Sequence, residues 1–233
     1  MNGWSCATAK WIDMTDTKID TTTDITTHSD SWLPLFPLQT VLFPDGILPL
    51  RIFETRYIDM VRECMRLDKP FGVVAIRQGS ETGQATQLEA VGCSAAIVHW
   101  DMEVGGLLMI STRGGLRFRI RETRLLADQR LEAQVDILDA DPAVAPLPGQ
   151  ADCAGALESI TDDFDQKIGR NNIKDYPFAL PLRFDDAGWV ANRWSEILPL
   201  TLKTKQELLE LSDPAMRLTL IHACLEQQQI LQG

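Results

Sequence analysis

Nowhere does the sequence hold the run of about 18 consecutive apolar residues that a membrane-spanning helix needs. Its opening residues, MNGWSCATAKWI, lack the continuous apolar stretch of a signal peptide, so the chain is read as cytoplasmic. Positive charge is scarce: 22 Lys and Arg stand against 33 Asp and Glu, a net charge of -11. That balance excludes a protein whose whole surface adheres to nucleic acid or to an anionic membrane. The five cysteines, at 6, 64, 93, 153 and 224, form no C-x-x-C pair, and an odd, scattered set fits reduced thiols better than a disulfide framework. His28, His99 and His222 lie far apart in the chain, so no metal site and no cofactor are expected. No G-x-x-x-x-G-K-[ST] is present, and the nearest glycine pair, Gly79 and Gly83, has the wrong spacing and no lysine. ATP hydrolysis by a phosphate-binding loop is excluded.

What is present is ordinary globular material, with 45% hydrophobic and 24% charged residues over 233 positions. Residues 15–27, TDTKIDTTTDITT, carry seven threonines and three aspartates with only two isoleucines to bury. They cannot offset their ordering entropy in a core, and residues 1–31 are expected to be a flexible leader, with Met14 an alternative translation start. From Leu33 the texture changes to short apolar runs punctuated by proline and glycine, the pattern of strands joined by tight turns. FPDG (43–46) reads as one such turn. The prolines at 34, 37, 44 and 49 cannot donate to a ladder, which predicts edge strands or bulges. TRYIDMVRECMRL then places Tyr57, Ile58, Val61, Cys64 and Met65 on one helical face, with Thr55 as the expected cap and Asp68 to Pro70 as the stop.

FGVVAIRQ reads as a buried strand and GSETGQATQ as an exposed polar loop. LEAVGCSAAIVHW and GGLLMIST form a hairpin whose tip is DMEVGG. GGLRFRIRE alternates, with Leu116, Phe118 and Ile120 on one face and Arg117, Arg119 and Arg121 on the other; LEAQVDIL repeats the alternation with Leu131, Ala133, Val135 and Ile137 inward. Residues 32–141 are thus expected to be a closed or nearly closed, largely antiparallel barrel with one inserted helix. Residues 142–150, with prolines at 142, 146 and 148, form a stiff connector. Beyond it, from 151 to 233, the period becomes helical. Ala154, Leu157, Ile160, Phe164 and Ile168 recur at three- and four-residue steps, and GRNN ends that helix. Asp186, Thr201 or Thr204, and Asp213 before Pro214 open three more.

FPLQTVLFPDGILPLRIFETRY (36–57), LEAVGCSAAIV (88–98), GGLRFRI (114–120) and WVANRWSEILPLTLKTKQELLELSDPAMRL (189–218) together resemble the N-terminal substrate-recognition domain of the Lon protease family, in particular its stand-alone members. The resemblance runs in family order from about residue 33 to the C-terminus. It implies an α+β fold, a PUA-like pseudo-barrel of mostly antiparallel strands followed by a C-terminal α-helical bundle. It also implies a non-enzymatic module of protein quality control that binds segments of unfolded or damaged polypeptides. The role would be that of an adaptor or chaperone, with a separate ATP-dependent protease as partner. The Lon ATPase and the Ser/Lys protease module have no counterpart in this sequence. The rival class is a PUA-like RNA or small-molecule binder.

Several residues invite a chemical reading. GCSAA (92–96) approaches the G-x-S-x-G elbow, but that motif needs a helix after the serine, and AIVHW follows here, so Ser94 is expected to pack in a strand. Asp162, Asp163 and Asp165 read as a solvated helix face. Arg51, Glu54 and Arg56 are expected to brace a strand-to-helix corner. Arg113, Arg117, Arg119, Arg121, Arg124 and Arg130 make a basic strip with only Glu122 and Asp128 among them. It is expected to pair with the abundant carboxylates, with an anionic ligand, RNA or an acidic partner, as the alternative. For apolar client segments the best surface is the hairpin tip, where Trp100, Met102 and Leu107 are too many apolar groups for a plain turn. A homodimer contact is the other use of that tip.

Overall fold

The computed structural model describes residues 32–81, 85–103, 107–170, 172 and 175–231. The expected leader with Met14, Cys6 and His28 lies outside these residues, as do Gly83, Gly105 and Gly106. The chain runs β1 (Leu33–Leu38), β2 (Ile47–Ile52), α1 (Thr55–Leu67), β3 (Phe71–Gly79), β4 (Ala85–Leu88), β5 (Val91–Met102), β6 (Leu108–Leu125) and β7 (Leu131–Ile137). A short 3-10 turn (Pro148–Gln150) then leads into α2 (Ala151–Lys167), α3 (Ala187–Ile197), α4 (Leu202–Glu210) and α5 (Pro214–Gln227). The architecture is α+β.

Five strands, β1, β7, β6, β5 and β3, follow one another around a ring that a parallel β1–β3 pairing closes. The remaining pairings are antiparallel, with β4 attached to β3 and β2 attached to β6. β1 is therefore not the edge strand its prolines suggest. β7 pairs with Leu33–Leu35 and β3 with Leu35–Leu38, so the two partners are staggered. Pro34 has only β7 in register and Pro37 only β3, which leaves each missing N–H a side where no donor is required. β2, with Pro49, is an edge strand as its proline predicts. β4 begins inside the stretch read as loop, because β3 extends past its β5 partners and leaves an edge that Gln87 and Leu88 can join.

The FPDG turn forms as its residues dictate. Gly46 N–H donates to the Phe43 carbonyl at 2.9 Å, and Asp45 takes the left-handed conformation with φ 60. The turn is tied to mid-β6 by Asp45 N–H to the Gly114 carbonyl (2.8 Å) and Gly114 N–H to the Gly46 carbonyl (2.9 Å). A β-carbon on Gly114 would fall inside van der Waals contact with the Phe43 carbonyl oxygen. We expect Gly114→Ala to cost about 1–3 kcal/mol by forcing two backbones apart, read as a lower urea midpoint. Gly149→Ala, which meets nothing within 4 Å, should leave the midpoint in place.

Helix α1 buries Tyr57, Met60, Val61 and Cys64 against Phe36, Leu50, Ile52, Phe71, Leu108 and Ile110 of the barrel. Its N-cap is Glu54 rather than Thr55, which is already helical; the Glu54 carboxylate makes no cap bond and is bound by Arg56 instead. The stop is as expected, with Asp68 left-handed at φ 51. A second cluster, Leu33, Leu35, Val74, Phe118 and Ala133, fills the ring. The largest cluster joins the two halves of the chain, since Val41, Phe43, Ala75 and Val91 from the strand region pack with Cys153, Leu157, Trp189, Trp194, Leu218, Ile221 and Leu225 of the helices. Asp186, Thr201 and Asp213 cap α3, α4 and α5 through their side chains.

A buried ionic clamp reinforces that joint. Arg117 of β6 donates to the Leu209 and Leu211 carbonyls (2.9 and 3.0 Å) and to Asp141 (2.6 Å). Arg217 of α5 donates to the Leu208 carbonyl (2.9 Å), to the other Asp141 oxygen (2.6 Å), to Asn192 (3.0 Å) and to the Leu211 carbonyl. The side chains of Arg117 and Arg217 are 5% and 1% exposed. Helix α4 ends at Glu210. Its last carbonyls lack intrahelical donors and carry the negative end of the helix dipole, so two guanidinium groups are well matched to them. One carboxylate holds both arginines.

Candidate functional site

The expected tip belongs to a three-strand wing formed by β2, β6 and β5. Leu50 stands opposite Ile110, and Ile110 opposite Trp100; Ile52 stands opposite Leu108, and Leu108 opposite Met102. Residues opposite one another across a sheet share a face. The face that β2 and β6 bury against α1 through Leu50, Ile52, Leu108 and Ile110 therefore continues onto β5, where Trp100 is 52% and Met102 43% exposed. Leu107, just before β6, is half-buried. One residue past Ile52, Phe53 is 64% exposed at the same end of the wing. Trp100 and Met102 extend a core face beyond what covers it.

Beside the wing lies a groove of about 180 Å³ lined by Phe36, Leu38, Leu50, Ile52, Phe53 and Tyr57, with Pro49 and Arg51 of β2 and the carboxylates Glu54 and Glu81. Among the described residues β2 pairs only with β6, so its other edge is left without a strand partner. Tyr57 stacks on Phe36 with ring centroids 4.2 Å apart, and the Arg56 guanidinium lies 4.6 Å from the Tyr57 ring centre. Burial raises the Tyr57 hydroxyl pKa, against the opposing pull of Arg56. Arg56 is held by Glu54 at 2.7 Å and by the Gln129 carbonyl at 2.8 Å, which is the bracing role expected of it. The volume is below the ~300–1,000 Å³ of a pocket for a drug-sized molecule and suits individual apolar side chains.

The basic strip is dispersed among carboxylates. Arg113 binds Asp45 at 2.5 Å, Arg124 binds Glu132 at 2.6 Å, Arg130 binds Asp128 at 2.6 Å, and Arg121 binds Asp136. Arg117, expected on an outward face, is buried because the end of α4 and the start of α5 close over that part of β6. Arg119 is exposed. Ser94 sits inside β5, buried, with its hydroxyl donating to the Leu116 carbonyl at 3.1 Å, and no helix follows it. Asp163 faces Lys167 at 3.9 Å and Asp162 faces Arg170 at 3.9 Å on the solvent side of α2.

Glu196 was not singled out by any sequence signal. It accepts from Arg193 at 2.8 Å behind the FPDG turn, while Arg193 also donates to the Pro44 carbonyl at 2.8 Å. Burial pushes its carboxyl up to about 7, against Arg193 and Lys205, with Asp45 adding to the rise. A carboxyl whose folded value lies above its unfolded one contributes stability that is fully present below the ordinary value of 4.5 and is lost as pH rises through about 7. Glu196→Gln, which copies the protonated acid, should therefore flatten the fall in unfolding midpoint between about pH 5 and pH 7. An unchanged slope would remove Glu196 as its source. Sequence reading also passed over Asp152, Cys153 and His222, which the packing of α2 on α5 brings within 4.8 Å of one another.

The chain thus combines a closed ring of strands, a helical half fused to it, apolar side chains beyond the cover of α1, and a β2 edge without a strand partner among the described residues. The chain belongs to the family described as the ATP-dependent protease La (LON) substrate-binding domain, whose sequence model matches residues 32–227. The Lon protease of Syntrophus aciditrophicus is 28% identical over 202 residues, covering 84% of this chain and 25% of that protease. The chain spans about a quarter of the length of the Lon proteases it matches. The crystal structure of a Lon N-terminal domain protein from Xanthomonas campestris superposes with a TM-score of 0.64 at 30% identity, covering 87% of this chain and 99% of that one. The N-terminal domain of the Mycobacterium avium complex Lon protease shares the fold, with a TM-score of 0.55 at 17% identity over 85% of this chain and 98% of that one. No helix among the described residues is long and apolar enough to cross a membrane.

Proposed function

We propose that this chain is a non-enzymatic module that binds extended apolar segments of unfolded or damaged polypeptides along the groove beside β2 and across the tip at Trp100 and Met102. The observation that carries this reading is the core face that α1 covers at Leu50, Ile52, Leu108 and Ile110 and that continues past that cover to the exposed Trp100 and Met102. An open strand edge next to an apolar groove is how an extended segment is commonly held, its main chain adding to the sheet and alternate side chains entering the groove. Membership of a substrate-binding family supports the same assignment. In this role the chain acts as an adaptor or chaperone in the cytoplasm, and a separate ATP-dependent protease supplies the proteolysis. The pairing of Arg113, Arg121, Arg124 and Arg130 with carboxylates weighs against RNA as the ligand.

Calorimetric titration with a reduced, carboxymethylated unfolded protein tests the proposal. We expect saturable binding with a negative heat-capacity change and weak dependence on salt. Absence of that binding, together with an affinity for single-stranded RNA that falls steeply with salt, would overturn it.

A further inference from the structure

A carboxylate, a thiol and an imidazole from two helices converge away from the proposed binding surface. Asp152 and Cys153 open α2, and His222 lies on α5, about 70 residues later in the chain; one ligand atom from each falls within 4.8 Å of the others. We propose that Asp152, Cys153 and His222 form a zinc site that ties the start of α2 to α5. This inference is independent of the polypeptide-binding reading.

The donor set selects the metal. Sulfur with imidazole nitrogen disfavours calcium and magnesium, which take oxygen, and a mixed sulfur, nitrogen and oxygen triad with one open position suits zinc. The geometry is nearly organised for it. Asp152 Oδ1 accepts the Cys153 N–H at 2.9 Å and lies 3.4 Å from His222 Nε2. On the other side of the ring, Glu226 Oε2 lies 3.6 Å from Nδ1, one helical turn further along α5. A carboxylate on that side of the ring is the kind of outer-shell group that accepts the Nδ1 proton of a metal-bound histidine and orients it.

Both backbones are fixed before any metal arrives. The Trp194 indole N–H on α3 donates to the Cys153 carbonyl at 2.9 Å, and Gln150 Nε2, in the turn that leads into α2, donates to Thr219 Oγ1 of α5 at 2.9 Å, so the start of α2 is held to α3 and the turn before it to α5. Zinc bonds of about 2.0–2.3 Å at tetrahedral angles need donors about 3.6 Å apart, so the site must contract by about 1 Å. Asp152 is exposed and His222 is 18% exposed, so their side chains can turn inward while Cys153, fully buried, stays in place. As the zinc–sulfur bond forms, the S–H bond of Cys153 breaks and its proton leaves to solvent; Asp152 binds as the carboxylate and His222 as the neutral imidazole.

The test uses the full chain with its thiols kept reduced, titrated with Co²⁺ as the spectroscopic probe and with Zn²⁺ in competition. We expect one equivalent of Co²⁺ to give the intense visible bands of tetrahedral coordination and a thiolate-to-cobalt charge-transfer band, both removed by Zn²⁺. Zn²⁺ should also raise the unfolding midpoint. His222→Gln and Cys153→Ser should abolish the charge-transfer band, and Glu226→Gln should weaken binding about tenfold. Cys224→Ser should leave the spectrum unchanged. Because Cys153 is buried, its variant is first checked for native circular dichroism, and His222→Gln decides the matter if that variant fails to fold. A weak octahedral spectrum without a thiolate band, or full binding by folded His222→Gln, would overturn the proposal.

Discussion

Asp141→Ala is expected to lower folding stability by about 3–5 kcal/mol, measured by urea denaturation, because it leaves two buried guanidinium groups without their shared counter-charge. Arg117 and Arg217 would keep their bonds to the Leu208, Leu209 and Leu211 carbonyls but carry their charges in a low-dielectric interior. Burial already lowers the pKa of Arg117, with Asp141 opposing it, so loss of Asp141 acts on a group under strain. The same change at Asp136, which binds Arg121 at the surface, should leave the midpoint nearly unmoved. Replacing all three clamp residues with apolar ones of similar size should not restore stability. Such replacements succeed where the ions serve only one another, but here they would orphan three carbonyls at the end of α4. Recovery to the original midpoint in that triple variant would show that the carbonyls do not need the arginines.

Trp100→Ser combined with Met102→Ser should weaken binding to an unfolded protein by about 2 kcal/mol, roughly thirtyfold, because aromatic and sulfur-bearing anchors at the centre of an interface carry most of its affinity. Both side chains are about half exposed, so their loss opens no cavity and the unfolding midpoint should hardly change. Arg119→Gln with Arg121→Gln is the matched control and should alter binding far less. Arg117 is left intact in that control, since it belongs to the clamp. Full binding by the tip variant and none by the arginine variant would move the ligand site to the strip.

The parts of the fold that were legible from sequence are those fixed by residues close together in the chain. Asp186, Thr201 and Asp213 mark helix starts through bonds to N–H groups two or three residues on, and the FPDG turn closes on itself. Alternation in β7 and the helical stripe at Leu157 were legible for the same reason. What escaped depends on distant partners. Whether Pro34 and Pro37 lie at an edge depends on where β7 and β3 arrive, and Arg117 looks like a surface residue until the end of α4 lands on it. At the candidate site, Trp100 and Met102 were read as too apolar for a turn, whereas the groove was not legible because it is framed by β1, β2 and α1 together. Asp152, Cys153 and His222 carry no spacing signal, since two helices bring them together.

The clamp also sets a schedule for the chain as it leaves the ribosome. Arg117 and Asp141 are made long before Arg217, about 75 to 100 residues earlier, which at 5–20 residues per second is roughly 4–20 s of synthesis. For most of that interval the carbonyls at the end of α4 are absent, and throughout it the third member of the clamp does not yet exist. Val41, Phe43, Ala75 and Val91 likewise wait for the helices that cover them. A nascent chain stalled before residue 217 thus lacks the arginine that completes the clamp and leaves part of that apolar surface without Leu218, Ile221 and Leu225 to cover it.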